Sequence, residues 1–265
     1  MAQGISIHIG LNAVDPSCYD GSWTGTLVGA VQDAEDMYAI AQSQGFQASK
    51  LLGEAATRDT VTQAIFQAST VLAAGDILLL SFGGHGGVIR DVSGDEADYQ
   101  DETWCLYDGH LLDDELYLLW SSFAAGVRIL VISDSCHSGT VTREASIGTP
   151  RAMPMDVALA TWRKQRDFYL NLMNGADADK AVLATVRLLS ASAEGELAYD
   201  GIYGGTPNGF FTKTLKQVWD DGHFSGNYAS FFGRVYDLMY VFQPPEHSLI
   251  GVPDVGFDQQ KPFQV

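Results

Sequence analysis

A chain of 265 residues, 46% of them hydrophobic, is long enough to bury a core without help from a metal or a disulfide. Its 33 acidic residues against 15 basic ones give a formal charge of −18, which repels nucleic-acid phosphates and anionic membrane surfaces and attracts cationic peptides. Three cysteines, Cys18, Cys105 and Cys136, form an odd set without paired spacing, so at least one thiol is expected to be free. Apolar runs such as 127–132 are too short to cross a bilayer, and the first residues have neither the basic start nor the apolar stretch of a secretion signal. The expectation is a cytoplasmic protein with no membrane and no nucleic-acid partner.

Residues 5–11 alternate and are rich in β-formers, predicting a strand, and a Gly/Ser/Asp-containing loop follows over 15–25. Val31, Ala34, Met37, Tyr38 and Ala41 recur at three- and four-residue steps, predicting a helix over 29–44, and a strand over 46–52 comes next. The pattern repeats with a helix over 57–73, stopped by Gly75, and a strand over 76–82. A helix over 113–124 leads to 127–132, an apolar run that reads as a fully buried strand. Residues 140–154 read as a loop, 155–173 as a helix with a basic cluster of Arg163, Lys164 and Arg166, and 185–191 as a strand. Helices over 210–221 and 228–242 complete the chain. Strands alternating with helices imply an α/β fold with a mostly parallel, helix-flanked sheet.

Two strand ends carry the chemistry. One runs into Gly83-Gly84-His85-Gly86-Gly87, the other into Asp134-Ser135-Cys136-His137-Ser138-Gly139. Ligands of open parallel sheets bind beyond the carboxyl ends of the strands, so His85 and Cys136 are predicted to face one site. An imidazole can take the proton of a thiol, generate the nucleophilic thiolate, and later protonate a leaving amine. The flanking glycines free backbone amides to hold an oxyanion, with Gly86 and Cys136 as the predicted donors. His137 competes with His85 as the base, but neighbours on an extended segment point to opposite faces. A phosphate loop would need Gly-Lys-Ser/Thr opening a helix, and no lysine occurs between Lys50 and Lys164. The His-to-Cys spacing of about 50 residues is one that caspases show.

Gly84-His85-Gly86 together with the hexapeptide 134–139 resembles the metacaspases and their bacterial relatives, the orthocaspases. Further similarity lies in Leu27 to Ala34, in Asp113-Asp114-Glu115-Leu116, in Ser190-Ala191-Ser192, in Gly209-Phe210-Phe211-Thr212 and in Gln260-Lys261-Pro262. The resemblance implies one caspase-like peptidase domain over 1–265, with a sheet of about six strands. It is large-subunit-like over 1–142 and small-subunit-like over 181–265, with a loop and helical insert over 143–180 between them. It also implies a cysteine endopeptidase that cleaves peptides or proteins after Arg or Lys, acts as a monomer, and uses Asp33 and Asp134 as an acidic substrate-binding pocket. A carboxylate pair repels itself and is relieved by a guanidinium.

The usual Cys of the first-helix motif is Ala30 here, and the usual Ser two residues before the histidine is Gly83, so a roomier, less polar pocket is expected. Many metacaspases bind activating calcium through aspartates placed like Asp101, Asp113 and Asp114. A calcium site and a plain solvated acidic loop both remain open readings, with Asp113 also able to cap a helix, and the dyad itself requires no cofactor. Arg143, Arg151, Arg163, Lys164 and Arg166 are candidate self-cleavage sites, or else a basic face paired with the acidic body. The rival to an enzyme is a catalytically idle, caspase-like interaction module.

Overall fold

The computed structural model describes residues 2–90, 100–136, 148–174 and 180–265. In chain order, β1 (Gly4–Gly10), α1 (Ala30–Ser43), β2 (Gln47–Leu52), α2 (Arg58–Val71) and β3 (Ile77–Gly83) lay down the first half of a sheet. Then come β4 (Gly86–Arg90), β5 (Gln100–Leu106), β6 (Gly109–Leu112), α3 (Asp113–Trp120) and β7 (Arg128–Asp134). After β8 (Thr149–Pro150) and α4 (Met155–Asn174) follow β9 (Thr185–Ser190), β10 (Tyr199–Tyr203), β11 (Thr206–Gly209) and α5 (Phe210–Trp219). The chain closes with α6 (Tyr228–Met239), β12 (Glu246–Gly251) and α7 (Val255–Gln259).

The six-stranded sheet has the order β12-β9-β7-β3-β1-β2, and every pair is parallel except β12 with β9. Successive strand residues point to opposite faces, and both faces are covered. Ile77 and Leu79 of β3 pack with Met37 and Ala41 of α1, Leu215 of α5 and Phe231 of α6. Leu78 and Leu80 pack on the other face with Val61, Ile65 and Ala68 of α2 and Trp120, just at the end of α3. This is the mostly parallel, helix-flanked α/β sheet that the alternation of elements predicts, with the six strands that the resemblance implies.

Two small antiparallel sheets lie outside that pattern. One has the order β4-β5-β6 and the other β11-β10-β8. Their strands are polar or glycine-rich and carry little periodicity, yet each contains a hairpin signal. The β5–β6 turn is built on Tyr107-Asp108 before Gly109, and the β10–β11 turn on Gly204-Gly205, both with positive φ (64° and 88°). The expected helix over 210–221 stops at Trp219 because Asp220 and Asp221 adopt left-handed φ values of 48° and 49°.

Candidate active site

The site is set by the ends of two neighbouring strands. Gly83 of β3 pairs with Asp134 of β7, so the two strands finish at one level, and His85 and Cys136 each follow two residues later. Both side chains are buried. The indole of Trp23, from the loop after β1, sits edge-on to the His85 ring at a centroid distance of 5.0 Å. His137, the competing base, lies outside the described residues.

Residues Pro150 to Met153 run across these strand ends in extended form. Pro150 and Thr149 pair with Tyr199 and Asp200 of β10, and the Arg151 amide donates to the Ala198 carbonyl at 2.8 Å. The Arg151 carbonyl accepts from the Gly86 amide at 2.9 Å and from the Cys136 amide at 3.3 Å. The Met153 amide donates to the Gly86 carbonyl at 2.7 Å. Thus the two amides read from the sequence as oxyanion donors converge on one carbonyl, that of Arg151.

The Arg151 side chain is fully buried among three carboxylates. Its Nη2 donates to Asp33 Oδ2 at 2.6 Å and to Asp200 Oδ1 at 2.8 Å, while Nη1 donates to the Asp134 carbonyl at 2.8 Å and lies 3.2 Å from Asp134 Oδ1. The remaining carboxylate bonds come from backbone and neutral side chains. Asp33 accepts from the Gly209 amide and Asn208 Nδ2, Asp134 from the Thr212 amide and hydroxyl, and Asp200 from the Val28 and Gly29 amides. The segments singled out around Leu27 to Ala34 and Gly209 to Thr212 therefore meet at this pocket. Gly209 is required by close approach, because a Cβ there would collide with the Asp134 carboxylate.

Around Gly83, where the sequence leads one to expect a roomier and less polar pocket, backbone and carboxylate approach closely. A Cβ at Gly83 would lie 2.9 Å from the Ala30 carbonyl and 3.3 Å from Asp33 Oδ2, so no void stands there. Asp200, a third acid that sequence reading missed, raises the negative charge instead. The signal that could have found it is the Gly204-Gly205 turn, which makes 199–209 a hairpin.

Charge in the site is balanced against burial. Burial pushes the Asp33 carboxyl up to about 7 against the pull of Arg151, and Asp134 beside it pushes the same way. Burial pushes the Cys136 thiol up to about 12 and holds the His85 imidazole down to about 4, where the Arg151 charge adds to the effect. The backbone of Ala152 and Gly25 favours the His85 cation slightly, although neither ring nitrogen reaches hydrogen-bond geometry with a partner. With Arg151 in place, thiol and imidazole are both neutral at pH 7.

Of the calcium candidates, Asp101 lies in β5, and Asp113 and Asp114 open α3. Burial first, then Asp114, Glu102 and Asp101, raise the Asp113 carboxyl to about 8. Among the described residues no three His, Cys, Asp or Glu are grouped so as to hold a metal ion, and Asp95, Glu96 and Asp98 lie outside them. Asp101, Glu102, Asp113 and Asp114 stand close enough for their charges to act on one another, and the dyad requires none of them. A folded-state value above the unfolded one means that the folded protein holds the extra proton, so Asp113 costs stability as pH rises from about 4 through 8. Asp113→Asn is therefore expected to be more stable than the parent at pH 9, on the order of 2 kcal/mol after allowing for partial exposure, with the gap closing by pH 4. Denaturant titrations at both pH values check this.

The remaining basic candidates are placed differently. Arg163, Lys164 and Arg166 are exposed on α4, and Arg143 lies outside the described residues. Among the described residues no helix is long and apolar enough to cross a membrane.

Comparison with known proteins bears on this geometry. A caspase-domain family model matches residues 12–262. Metacaspase-1 of Pyricularia oryzae is 39% identical over 89 residues, covering 32% of this chain and 22% of the relative. Metacaspase-1B of Aspergillus fumigatus is 32% identical over 129 residues, covering 46% and 32%. The matched stretch thus spans about a third or less of those relatives' own length. The crystal structure of protein GSU0716 from Geobacter sulfurreducens superposes with a TM-score of 0.90 at 46% identity, covering 99% of both chains. A match over nearly the whole chain, on a sheet whose adjacent strand ends carry a histidine and a cysteine, places this chain in the caspase-domain family of cysteine peptidases.

Proposed function

We propose that the protein is a cysteine endopeptidase that cleaves peptide bonds after arginine or lysine, with Cys136 as nucleophile and His85 as the proton carrier. The observation that carries this reading is the way Arg151 is held. Its carbonyl receives the Gly86 and Cys136 amides while its guanidinium lies among Asp33, Asp134 and Asp200. An arginine of a substrate held in the same way would present its carbonyl carbon beside the Cys136 thiol.

The chemistry follows from these positions. His85, neutral at pH 7, accepts the thiol proton as sulfur attacks, and the two amides take the charge that develops on the carbonyl oxygen. Collapse to a thioester breaks the C–N bond, and the proton on His85 goes to the leaving amine. His85 then takes a proton from water as it attacks the thioester. Three buried carboxylates prefer a cation and repel an anionic side chain, which supports basic over acidic selectivity. The enzyme reading extends to the chain's own basic residues, so that it processes itself.

Fluorogenic peptides ending in Arg, Lys or Asp test the selectivity. The Arg peptide is expected to be cleaved at least 100-fold faster than the Asp peptide, in keeping with a cost of about 3 kcal/mol for burying an unpaired or repelled charge here. Equal rates would remove the claim.

A further inference from the structure

The glycines on either side of His85 leave its backbone free to turn, and neither ring nitrogen is in hydrogen-bond geometry with a partner. Packing is what remains to fix the ring. The packing comes from the loop after β1, which the peptidase chemistry above does not use. The Trp23 indole meets the imidazole edge-on at 5.0 Å, with an interplanar angle of 65°. Gly25 closes the next side: a Cβ there would lie 3.3 Å from His85 Cδ2 and 3.2 Å from the outer edge of the Trp23 ring.

The indole is itself held. The Asp20 carboxylate accepts from the Ser22 and Trp23 amides, each at 2.7 Å, and from the Ser22 hydroxyl at 3.1 Å. The Tyr19 ring meets the indole edge-on at 5.2 Å. Tyr19 is fully buried, and its hydroxyl donates to the carbonyls of Leu106 in β5 and Gly109 in β6. Both ends of the loop are tied back, the Val14 amide donating to the Thr24 carbonyl at 3.0 Å and the Leu27 amide to the Asn12 carbonyl at 2.9 Å. Trp23 is half-buried where His85 is 5% exposed, so the indole stands as a screen on the imidazole.

We propose that Trp23 is a positioning residue for the reaction at Cys136: its indole sets the rotation of the His85 imidazole and keeps water off it, while Asp20 and Tyr19 hold the indole. This rests on the peptidase reading. A proton passes efficiently only along an aligned path, and misplacing a reacting group by about 1 Å costs on the order of 100-fold. An imidazole open to water is also easier to protonate, and a protonated ring cannot accept the thiol proton. Of the charged groups that act on the ring, Arg151 opposes the cation and Asp200 favours it, while the Cys136 thiol, pushed up to about 12, stays neutral. Trp23 carries no charge, so its removal acts through solvation and orientation alone.

Kinetics on an Arg peptide and a titration of the ring test this. Trp23→Ala is expected to lower kcat about 100-fold with KM within about twofold, and Trp23→Phe, which keeps a ring edge, to stay within about fivefold of the parent. In the full Cys136→Ala chain, NMR titration of the His85 ring is expected to show its pKa rising by about one unit or more towards the ordinary 6.5 when Trp23→Ala is added, and holding with Trp23→Phe. Asp20→Ala changes an exposed side chain and is expected to lower kcat about tenfold, which keeps the test open should Trp23→Ala not fold. An unchanged kcat in these variants, or a loss carried by KM, would overturn the positioning role, and an unmoved titration would overturn the screening of the ring. A parent that cleaves no Arg peptide would remove the peptidase reading and this inference with it. An active parent whose Trp23→Ala variant behaves normally would remove this inference alone.

Discussion

Replacing Cys136 by alanine is expected to lower hydrolysis of an Arg-containing fluorogenic peptide by about 10⁴-fold or more. The sulfur is the atom that bonds to the acyl group, so its loss leaves binding and the amide donors intact but no covalent route. His85→Ala is expected to lose nearly as much, and the double variant little more than either alone, because members of one proton-transfer unit do not contribute additively. Cys136 is buried in the same core cluster as Ile132 and Phe211, and a change from thiol to methyl there removes one atom. The melting temperature of Cys136→Ala should therefore stay within a few degrees of the parent. The comparison is of initial rates alongside a thermal melt. A variant that melts normally and still turns over as the parent does would exclude Cys136 as the nucleophile, and a parent that does not turn over at all would favour the interaction-module reading.

Asp200→Asn is expected to cut kcat/KM for Arg peptides by roughly 10²- to 10³-fold, since breaking a buried charge pair costs about 3–5 kcal/mol. Asp200 Oδ1 and Asp33 Oδ2 share the same guanidinium nitrogen, Nη2, and Asp134 takes the other. A planar fork uses all three acids at once, whereas an ammonium is a point charge. The loss for Lys peptides should accordingly be smaller, and the Arg-to-Lys ratio should fall. The amide left by the substitution still offers an oxygen to the Val28 and Gly29 amides, which limits damage to the start of α1. Steady-state kinetics on matched Arg and Lys peptides decide it, and an unchanged ratio would mean that Asp200 only braces the backbone.

What could be read in the sequence follows from burial. β1, β3, β7 and β9 lie inside the sheet and are apolar or β-branched along most of their length, so composition alone marks them. His85 and Cys136 are legible because each follows such a strand. Asp33 and Asp134 came from resemblance, since an acid at the start of a helix or the end of a strand is ordinary in itself. Asp200 was hidden because β10 and β11 contain Gly, Asp, Pro and Asn and are held by pairing rather than by an apolar face. The place of Arg151 among five basic residues could not be chosen from spacing. It depends on a chain reversal that brings 149–153 back over the strand ends.

The parallel pairing of β7 with β9 has a bearing on how such a protein can be assembled. Two polypeptides, one ending and the other beginning between residues 136 and 148, would each carry an incomplete sheet. The first would expose the β7 edge and hold Asp33, Asp134, His85 and Cys136; the second would bring β9, β12 and Asp200. Neither half has the full acidic pocket or both covered faces of the sheet, so each has reason to seek the other. The fold is in that sense already arranged as a complementation pair, in which two separately encoded genes could report on the meeting of their products.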